Sequence, residues 1–216
     1  MKTARTTVAY EIIKNAINSG EITPGAQLVE ASLCEKLDMS RTPIREALNK
    51  LEAEGYVEYS AGRGFVATVY TVDKIRMIYE KIEAIEGMLA YLVAEDRDNI
   101  NLSLIEEALL DMEKALEEKN WTVWSEADSR YHRVLYSFCR NEYIVKDLEF
   151  LARPSKHVRD IITTIYLDKA ESTKAHRAMY EAIKRGDCAC ARQEAQNHFR
   201  WVREQTIACM RQFNIS

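Results

Sequence analysis

The stretch SRTPIREAL occupies residues 40–48 and has the features expected at the start of a short helix. Ser40 is a favoured N-cap residue, and Pro43 falls in the first turn, where a missing N–H costs little. Apolar residues then recur at helical spacing and predict one buried face: Ile44, Ala47, Leu48 and Leu51. Arg41 and Arg45 are four residues apart, so they project from one face of the same helix.

The elements around this helix follow a recognisable order. Residues 6–18 and 29–37 carry apolar residues at helical spacing, and the second of these helices is separated from SRTPIREAL by a short turn. After Gly55 the period changes to two, because YVEYS and FVATVY flank the turn AGRG and predict a β-hairpin. Helix, helix, turn, helix and hairpin is the order of a winged helix-turn-helix.

The rest of the chain shows no strand pattern. The spacing of apolar residues predicts helices over about 73–95, 101–118, 121–139, 142–166, 169–185 and 188–212, and Pro154 should kink or split the fourth of them. We therefore predict a mostly α protein with two domains. Residues 1–70 form the winged helix-turn-helix, and residues 71–216 form an all-α antiparallel helical bundle.

The composition limits the possible functions. The net charge is −4, and residues 1–70 contain eight Lys and Arg against nine Asp and Glu, so DNA binding would depend on a few well-placed cations. No apolar run reaches the length of a membrane span and the N-terminus does not resemble a signal peptide, so a cytoplasmic protein without membrane contact is expected. The five cysteines follow no metal-binding spacing and are predicted to be free thiols.

Residues 10–66 resemble the DNA-binding domain of the GntR family of transcription regulators. The resemblance rests on SRTPIREAL and on matching residues around it: Tyr10, Ile13, Ile17, Gly20, Pro24, Gly25, Leu28, Glu30, Leu33, Leu37, Leu51, Glu54, Gly55, Gly64 and Val66. The helical remainder resembles the ligand-sensing FCD domain of that family's FadR branch, through Asp128, His132, the block HRAMYEAIKRGD at 176–187, and His198. Six predicted helices resemble the smaller, VanR-like type.

The first resemblance implies a surface that contacts operator DNA. A recognition helix places its first residues at base edges in the major groove, where Arg pairs with guanine, and a wing tip reaches the minor groove. The candidate DNA-binding residues are Ser40, Arg41, Thr42, Arg45, Lys50, Arg63 and Gly64. Many relatives carry Arg at the position of Ala31, so one expected contact is missing here.

The second resemblance implies a metal site. Asp128 and His132 are four residues apart on one helix and can reach a single ion, and His176 and His198 would join them from two other helices. Three imidazoles and one carboxylate suit a divalent transition metal, zinc first, with nickel or manganese as alternatives. His157 falls outside the pattern and is predicted to be structural or exposed.

A metal with open coordination positions suits a carboxylate, so a small organic acid is the expected effector. Many relatives carry Arg where Ile82 aligns, so another cation would have to contact the acid, and the candidates are Arg130, Arg133 and Arg159. The apolar residues beside His132 are predicted to be helix core: Tyr131, Leu135, Tyr136 and Phe138.

Together these features predict a sequence-specific transcription regulator, not an enzyme. It would bind double-stranded operator DNA as a homodimer, with its affinity controlled by the effector. The alternative is a metal-dependent enzyme with its active site in the helical bundle, but no general base is identifiable beside the ligands, and the winged helix would be unexplained. A third possibility is an interaction module whose helices serve dimerisation alone.

Overall fold

The computed structural model describes the backbone of residues 2–151 and 168–212, with side chains from residue 5 onward. Within these ranges the chain forms two compact units, of which the first ends at Thr71 and the second begins at Val72. None of the helices in the described ranges combines the length and apolar character needed to cross a membrane. All five cysteines are free thiols.

The first unit contains three helices and three short strands: α1 (Lys2–Asn18), β1 (Gln27–Leu28), α2 (Glu30–Leu37), α3 (Arg41–Ala53), β2 (Val57–Ser60) and β3 (Gly64–Ala67). The strands form an antiparallel sheet in the order β1-β3-β2, with Tyr59 opposite Phe65 in the hairpin. This is the predicted winged helix-turn-helix. The sequence pattern missed β1, which has only two residues and pairs with a strand almost forty residues away.

The core of the first unit lies beneath α3. The four apolar residues predicted for its inner face, Ile44, Ala47, Leu48 and Leu51, are all fully buried. They belong to one hydrophobic cluster with Ala9, Tyr10 and Ile13 of α1 and with Phe65 of the sheet. Because these four positions of α3 face the cluster, its arginines are left on the solvent side.

Two local features place α3 and the hairpin. Asp38 ends α2 in a left-handed conformation (φ 50°), and its N–H bonds to the carbonyls of Cys34 and Glu35, which turns the chain sharply toward α3. Ser40 occupies the N-cap position of α3 with extended backbone, as predicted, but its hydroxyl makes no capping hydrogen bond. At the hairpin tip, Gly62 and Gly64 have φ values of 82° and 74°, a region that favours glycine.

The second unit is helical throughout its described residues: α4 (Val72–Glu95), a 3₁₀ turn (Arg97–Asn99), α5 (Leu102–Glu117), α6 (Trp121–Phe138), α7 (helical over 142–151), α8 (Lys169–Arg185) and α9 (Cys188–Gln212). In this unit, the observed helix ends differ from the predicted ones by one residue or less wherever both can be compared. The part of the fourth predicted helix beyond residue 151 lies outside the described residues. Pro154, His157 and Arg159 belong to that part.

Polar side chains cap the helices where the sequence predicted breaks. The side-chain oxygens of Asn101, Asn120, Asn141 and Asp168 each accept hydrogen bonds from backbone N–H groups in the first turn that follows. Such caps satisfy N–H groups that have no partner within the helix. The helix starts are therefore determined locally, which explains why the sequence predicted them well.

Among the described residues of this unit, the two longest helices are α4 and α9, which pack antiparallel. Glu83 of α4 forms ion pairs with Arg200 and Arg203 of α9, whereas Met88, further along α4, contacts the earlier Arg192. A Cβ on Gly87 would lie 2.7 Å from Cγ of Gln196, so glycine permits the close approach of the two helices. This packing brings the centre of α9, which carries His198, into the interior of the bundle.

Candidate DNA-reading face and candidate metal centre

The candidate DNA-binding residues of α3 and its N-cap lie on the solvent-exposed face of the helix. Ser40, Arg41, Thr42, Arg45 and Lys50 are all exposed. Pro43 and Ile44, between them, are buried. Within a single turn, the helix thus buries the residues that pack against the core and exposes the candidate DNA-contacting residues, as a recognition helix requires.

Several polar residues on α3 have partners within the first unit. Nε of Arg45 lies 3.5 Å from Oε1 of Glu30 on α2, and Nζ of Lys50 lies 4.0 Å from the ring centre of Tyr10. Glu46 accepts a hydrogen bond of 2.8 Å from the Thr6 hydroxyl. Glu46 therefore ties α3 to α1, whereas Arg45 pairs with α2 and keeps 65% of its side chain exposed.

The hairpin tip is tied to the segment before α2. The guanidinium of Arg63 donates to the Gly25 carbonyl at 3.2 Å, and the side-chain amide of Gln27 donates to the Arg63 carbonyl. Arg63 is exposed and Gly64 half-buried. The structure therefore places a held, solvent-accessible arginine at the tip of the wing, where the sequence predicted one.

The three histidines proposed as metal ligands converge. His132 of α6, His176 of α8 and His198 of α9 each offer one ring nitrogen, and these atoms all lie within 4.8 Å of one another. Nε2 of His132 lies 3.2 Å from Nε2 of His176, and Oδ1 of Asp128 lies 3.5 Å from the same His176 nitrogen. The three histidines suggested by the resemblance are thus brought together, and Asp128 lies beside one of them, His176.

The tautomer of His176 and the burial of His198 both favour ring nitrogens that can bind a metal. Nδ1 of His176 lies 2.7 Å from the Ser172 carbonyl, which can only accept, so the neutral ring carries its proton on Nδ1 and presents an unprotonated Nε2. Burial lowers the pKa of His198 well below its usual value, and positive charge on His176 or His132 would lower it further. A neutral imidazole is the form that binds a metal.

The spacing of the histidine nitrogens fits a shared divalent ion. Two nitrogens that each lie about 2.1 Å from a zinc ion are about 3.4 Å apart, close to the observed 3.2 Å between His132 and His176. Within the described ranges, no group hydrogen-bonds to the buried Nδ1 of His198, and a buried polar atom of this kind calls for a ligand. These residues can hold a metal.

Aromatic rings enclose the cluster. The Tyr131 ring lies edge-on to His176 with 4.6 Å between centroids, and its hydroxyl donates to the His176 carbonyl at 3.0 Å. Phe199 lies 5.7 Å from His132 and 5.1 Å from His198, again between ring centroids. Apolar neighbours of this kind exclude water and restrain the rings. Of the residues predicted as core, Tyr131 and Leu135 are buried, whereas Tyr136 and Phe138 are half-buried.

The candidate effector-binding arginines do not gather at the histidines. Arg130 donates to the carboxylate of Asp111 and to the Glu107 carbonyl, both on α5. Arg133 is exposed and lines an open groove with Trp121, Ser125, Ser129 and other outer residues of α6. Within the described ranges, neither guanidinium forms a hydrogen bond or ion pair with a histidine of the cluster. Arg159 lies outside the described residues.

The sequence pattern did not reveal a buried carboxylate near the cluster. Glu86 of α4 is 2% exposed and accepts a hydrogen bond of 2.5 Å from the hydroxyl of Tyr136, whose ring lies 6.3 Å from that of His132. The available signal was its position, one turn after Ile82 on the apolar stripe of α4. A charged residue on such a stripe indicates a polar partner inside the bundle.

An exposed cationic helix beside a β-wing, joined in one chain to a helical unit that contains a cluster of three histidines, defines a DNA-binding transcription regulator of the winged-helix class. Residues 5–66 match the family described as bacterial regulatory proteins, gntR family, and residues 77–200 match the FCD domain. The chain belongs to the GntR family and carries an FCD domain.

Individual relatives support this assignment. The chain is 28% identical over 200 residues to the HTH-type transcriptional regulator YdhC of Bacillus subtilis strain 168, covering 88% of this chain and 85% of YdhC. It is 33% identical over 135 residues to an HTH-type regulator from the TAR-I ttuE-ttuC' intergenic region of Agrobacterium vitis, covering 61% of this chain and 78% of that protein.

Among solved structures, the Listeria monocytogenes protein Lar, which controls expression of the agr system and mediates virulence, shares the fold. The TM-score is 0.72 at 22% identity, and the match covers 94% of this chain and 96% of Lar.

Proposed function

We propose that this protein is a metal-dependent, effector-controlled transcription regulator. The winged helix, residues 1–70, would bind operator DNA through Ser40, Arg41, Thr42, Arg45, Lys50, Arg63 and Gly64. The helical domain, residues 71–216, would bind the effector and form the dimer. The convergence of three imidazoles and a carboxylate in the helical domain carries the proposal, because a domain that served dimerisation alone would have no use for it.

Asp128, His132, His176 and His198 would hold the ion, with zinc the first candidate and nickel or manganese the alternatives. His176 is oriented by Ser172, and Tyr131 braces the same segment of α8 through the His176 carbonyl. When bound in a five- or six-coordinate geometry, the metal would supply positive charge and an open coordination position suited to a carboxylate oxygen. The chain's own part is to hold the four ligands rigidly in a water-poor interior.

The effector proposed is a small organic acid bound at or near this ion. Arg130 is engaged by Asp111, and Arg133 lies on the outer face of α6, so neither is the favoured partner of the acid. Arg159 remains a candidate. The VanR-like arrangement with six helices also stays a proposal, because residues 152–167, between α7 and α8, lie outside the described residues.

A homodimer is proposed because one winged helix contacts few bases, and specific affinity requires two half-sites. Light scattering on the full chain should give about twice the mass of 24.9 kDa. A monomer at micromolar concentration that still binds DNA tightly would contradict this part of the proposal.

The function can be tested by measuring whether metal and a carboxylate change DNA affinity. The DNA would be a duplex selected from a random pool by the wild-type protein, and binding would be measured with the apo protein, with zinc, and with zinc plus acetate, lactate or succinate. A ligand shifts DNA affinity only if it binds the two states of the protein unequally, and the coupling is reciprocal. We expect at least one carboxylate to change the DNA dissociation constant only in the presence of metal.

The same titration separates the alternatives. If neither metal nor any carboxylate changes DNA affinity, the helical domain is not a sensor of this class. If the protein consumes the carboxylate, the domain is an enzyme. The relatives identified above are regulators, and their similarity favours the sensor.

A further inference from the structure

The ion pair between α2 and α3 has a consequence for how the recognition helix reads DNA. Oε1 of Glu30 lies 3.5 Å from Nε of Arg45, and the two side chains are 28% and 65% exposed. We propose that Glu30 is a positioning residue, which holds the Arg45 guanidinium in the orientation needed at a base edge and thereby sets sequence specificity. This inference rests on the DNA-contacting role proposed for Arg45.

Glu30 approaches the Arg45 guanidinium from its Nε side and not from its two terminal amino groups. An arginine side chain presents five N–H donors in a rigid plane. Glu30 faces the Nε edge, so the two terminal amino groups of Arg45 remain available. Two parallel N–H groups are what the O6 and N7 acceptors of guanine bind. The carboxylate therefore restrains the side chain without occupying its end-on donor pair.

Glu30 is itself held in place. It is the first residue of α2, whose N-cap residue Val29 provides no side-chain hydrogen bond. A negative charge is favoured at a helix N-terminus, because the unpaired N–H groups there carry partial positive charge. The carboxylate thus lies where the helix dipole stabilises it and from where it can reach Arg45.

Stability of the fold is a poor explanation for this pair. Ion pairs with solvent-exposed partners contribute little to folding. A negative charge on a DNA-contacting face also opposes binding to phosphates of any sequence. A flexible arginine, however, loses conformational freedom when it docks on a base, and a residue that orders it beforehand reduces that loss. Glu30 therefore lowers general affinity and favours the specific complex.

Arg41 provides an internal contrast. In the part of the chain that the structure describes, Arg41 forms no ion pair, although it lies one turn before Arg45 on the same exposed face. Glu30 should therefore influence the base position read by Arg45 and leave the position read by Arg41 unchanged.

The test compares two duplexes: the sequence that the wild-type protein selects from a random pool, and a scrambled duplex of the same composition. In Glu30→Gln, we expect scrambled DNA to bind as tightly as before or up to roughly threefold more tightly, because a negative charge is removed. The ratio of selected to scrambled affinity should fall roughly three- to tenfold. Repeating the selection with Glu30→Gln should relax one base position per half-site.

Three further variants make the result decisive. Glu21→Gln removes an exposed acid that is paired with Lys36 at 2.6 Å in the same unit, and it should change both affinities equally. Glu30→Asp keeps the charge but shortens the reach, so it should lose specificity without a gain on scrambled DNA. In an Arg45→Ala background, Glu30→Gln should cause no further loss of specificity, because the positioned group is gone.

Equal changes on both duplexes in Glu30→Gln would show a simple charge effect and overturn the proposal. So would an undiminished loss of specificity in the Arg45→Ala background. A wild-type protein that selects no sequence at all would instead refute the proposed DNA-reading function, so the two failures are distinguishable.

Discussion

The DNA-reading face and the histidine cluster are both polar, but the chain builds them differently. The first takes Ser40, Arg41, Thr42 and Arg45 from consecutive turns of one helix and leaves them all in solvent. The second collects His132, His176 and His198 from three helices and buries two of the rings, with exposures of 0% for His176 and 4% for His198.

This difference predicts how each site responds to mutation. An exposed arginine on α3 can be removed without disturbing the cluster of Ile44, Leu48 and Leu51 beneath it, so function should change without folding. A buried histidine contributes to packing and to ligand binding together. Substitutions in the two sites should therefore be separable by measuring stability alongside binding.

The largest effect is expected for His176→Ala. Loss of a supporting residue around a metal ligand typically costs 10- to 100-fold in metal affinity, so loss of the ligand itself should cost at least about 100-fold. At a metal concentration of about 100 times the dissociation constant, the wild type should gain roughly 2.7 kcal/mol of stability, a rise in Tm of roughly 5–10 °C. Elemental analysis and thermal melts with and without zinc measure both quantities.

His157→Ala is the matched control for this experiment, since it makes the same chemical change outside the proposed ligand set. It should retain metal and the metal-dependent rise in Tm. If the wild type binds no stoichiometric metal after reconstitution, the cluster is not a metal site, and the contrast between the two polar sites loses its functional basis.

Arg41→Ala and Arg45→Ala come next. Each should cost about 1–3 kcal/mol of discrimination against the wrong base, because the variant can no longer form a bidentate pair with guanine. Tm should not change, because both side chains are exposed. Competition between the selected and scrambled duplexes measures the loss. An equal loss on both duplexes would mean that the arginine contacts phosphate only.

A smaller and different effect is expected for Arg5→Ala on α1. Arg5 is exposed and lies outside the recognition helix, so its removal should weaken binding to every sequence alike. The slope of log affinity against log salt should fall by about 1 for each phosphate that the variant no longer neutralises. A change in the preferred sequence would show instead that α1 takes part in base recognition.

The smallest effect is expected for Gln27→Ala. Its side-chain amide donates to the Arg63 carbonyl at the wing tip, and an exposed hydrogen bond contributes about 1 kcal/mol or less. The loss should appear as reduced protection of the minor groove next to each half-site in footprints. Gln193→Ala removes an exposed amide from the helical unit and should leave the footprint unchanged. An unchanged footprint for Gln27→Ala would show that the wing does not depend on this hydrogen bond.

Much of the fold could be predicted because its signals are local. The caps at Asn101, Asn120 and Asp168 act within one helical turn, and the apolar positions of α3 follow a period that one helix determines alone. The arginine pair on α3 was predictable for the same reason. Strand β1 was missed because its pairing with β3 is a long-range interaction and its two residues show no alternation.

The candidate metal site was predicted partly from residue spacing and partly from the family resemblance. Spacing predicted that Asp128 and His132 share a helix face, but nothing in the spacing brought His176 and His198 to them, and the family resemblance supplied that step. Glu86 was missed because only the approach of α6 reveals its partner, the hydroxyl of Tyr136.

The sequence by itself therefore determined the helices, their ends, the hairpin and the cationic face of α3, because backbone hydrogen bonds, caps and periodicity act between residues a few positions apart. The tertiary structure alone decided which polar groups meet. The 3.2 Å separation of the His132 and His176 nitrogens and the pairing of Glu30 with Arg45 depend on how separate helices pack. Such packing is governed by shape and burial across the whole core, and those quantities are not written in any short stretch of residues.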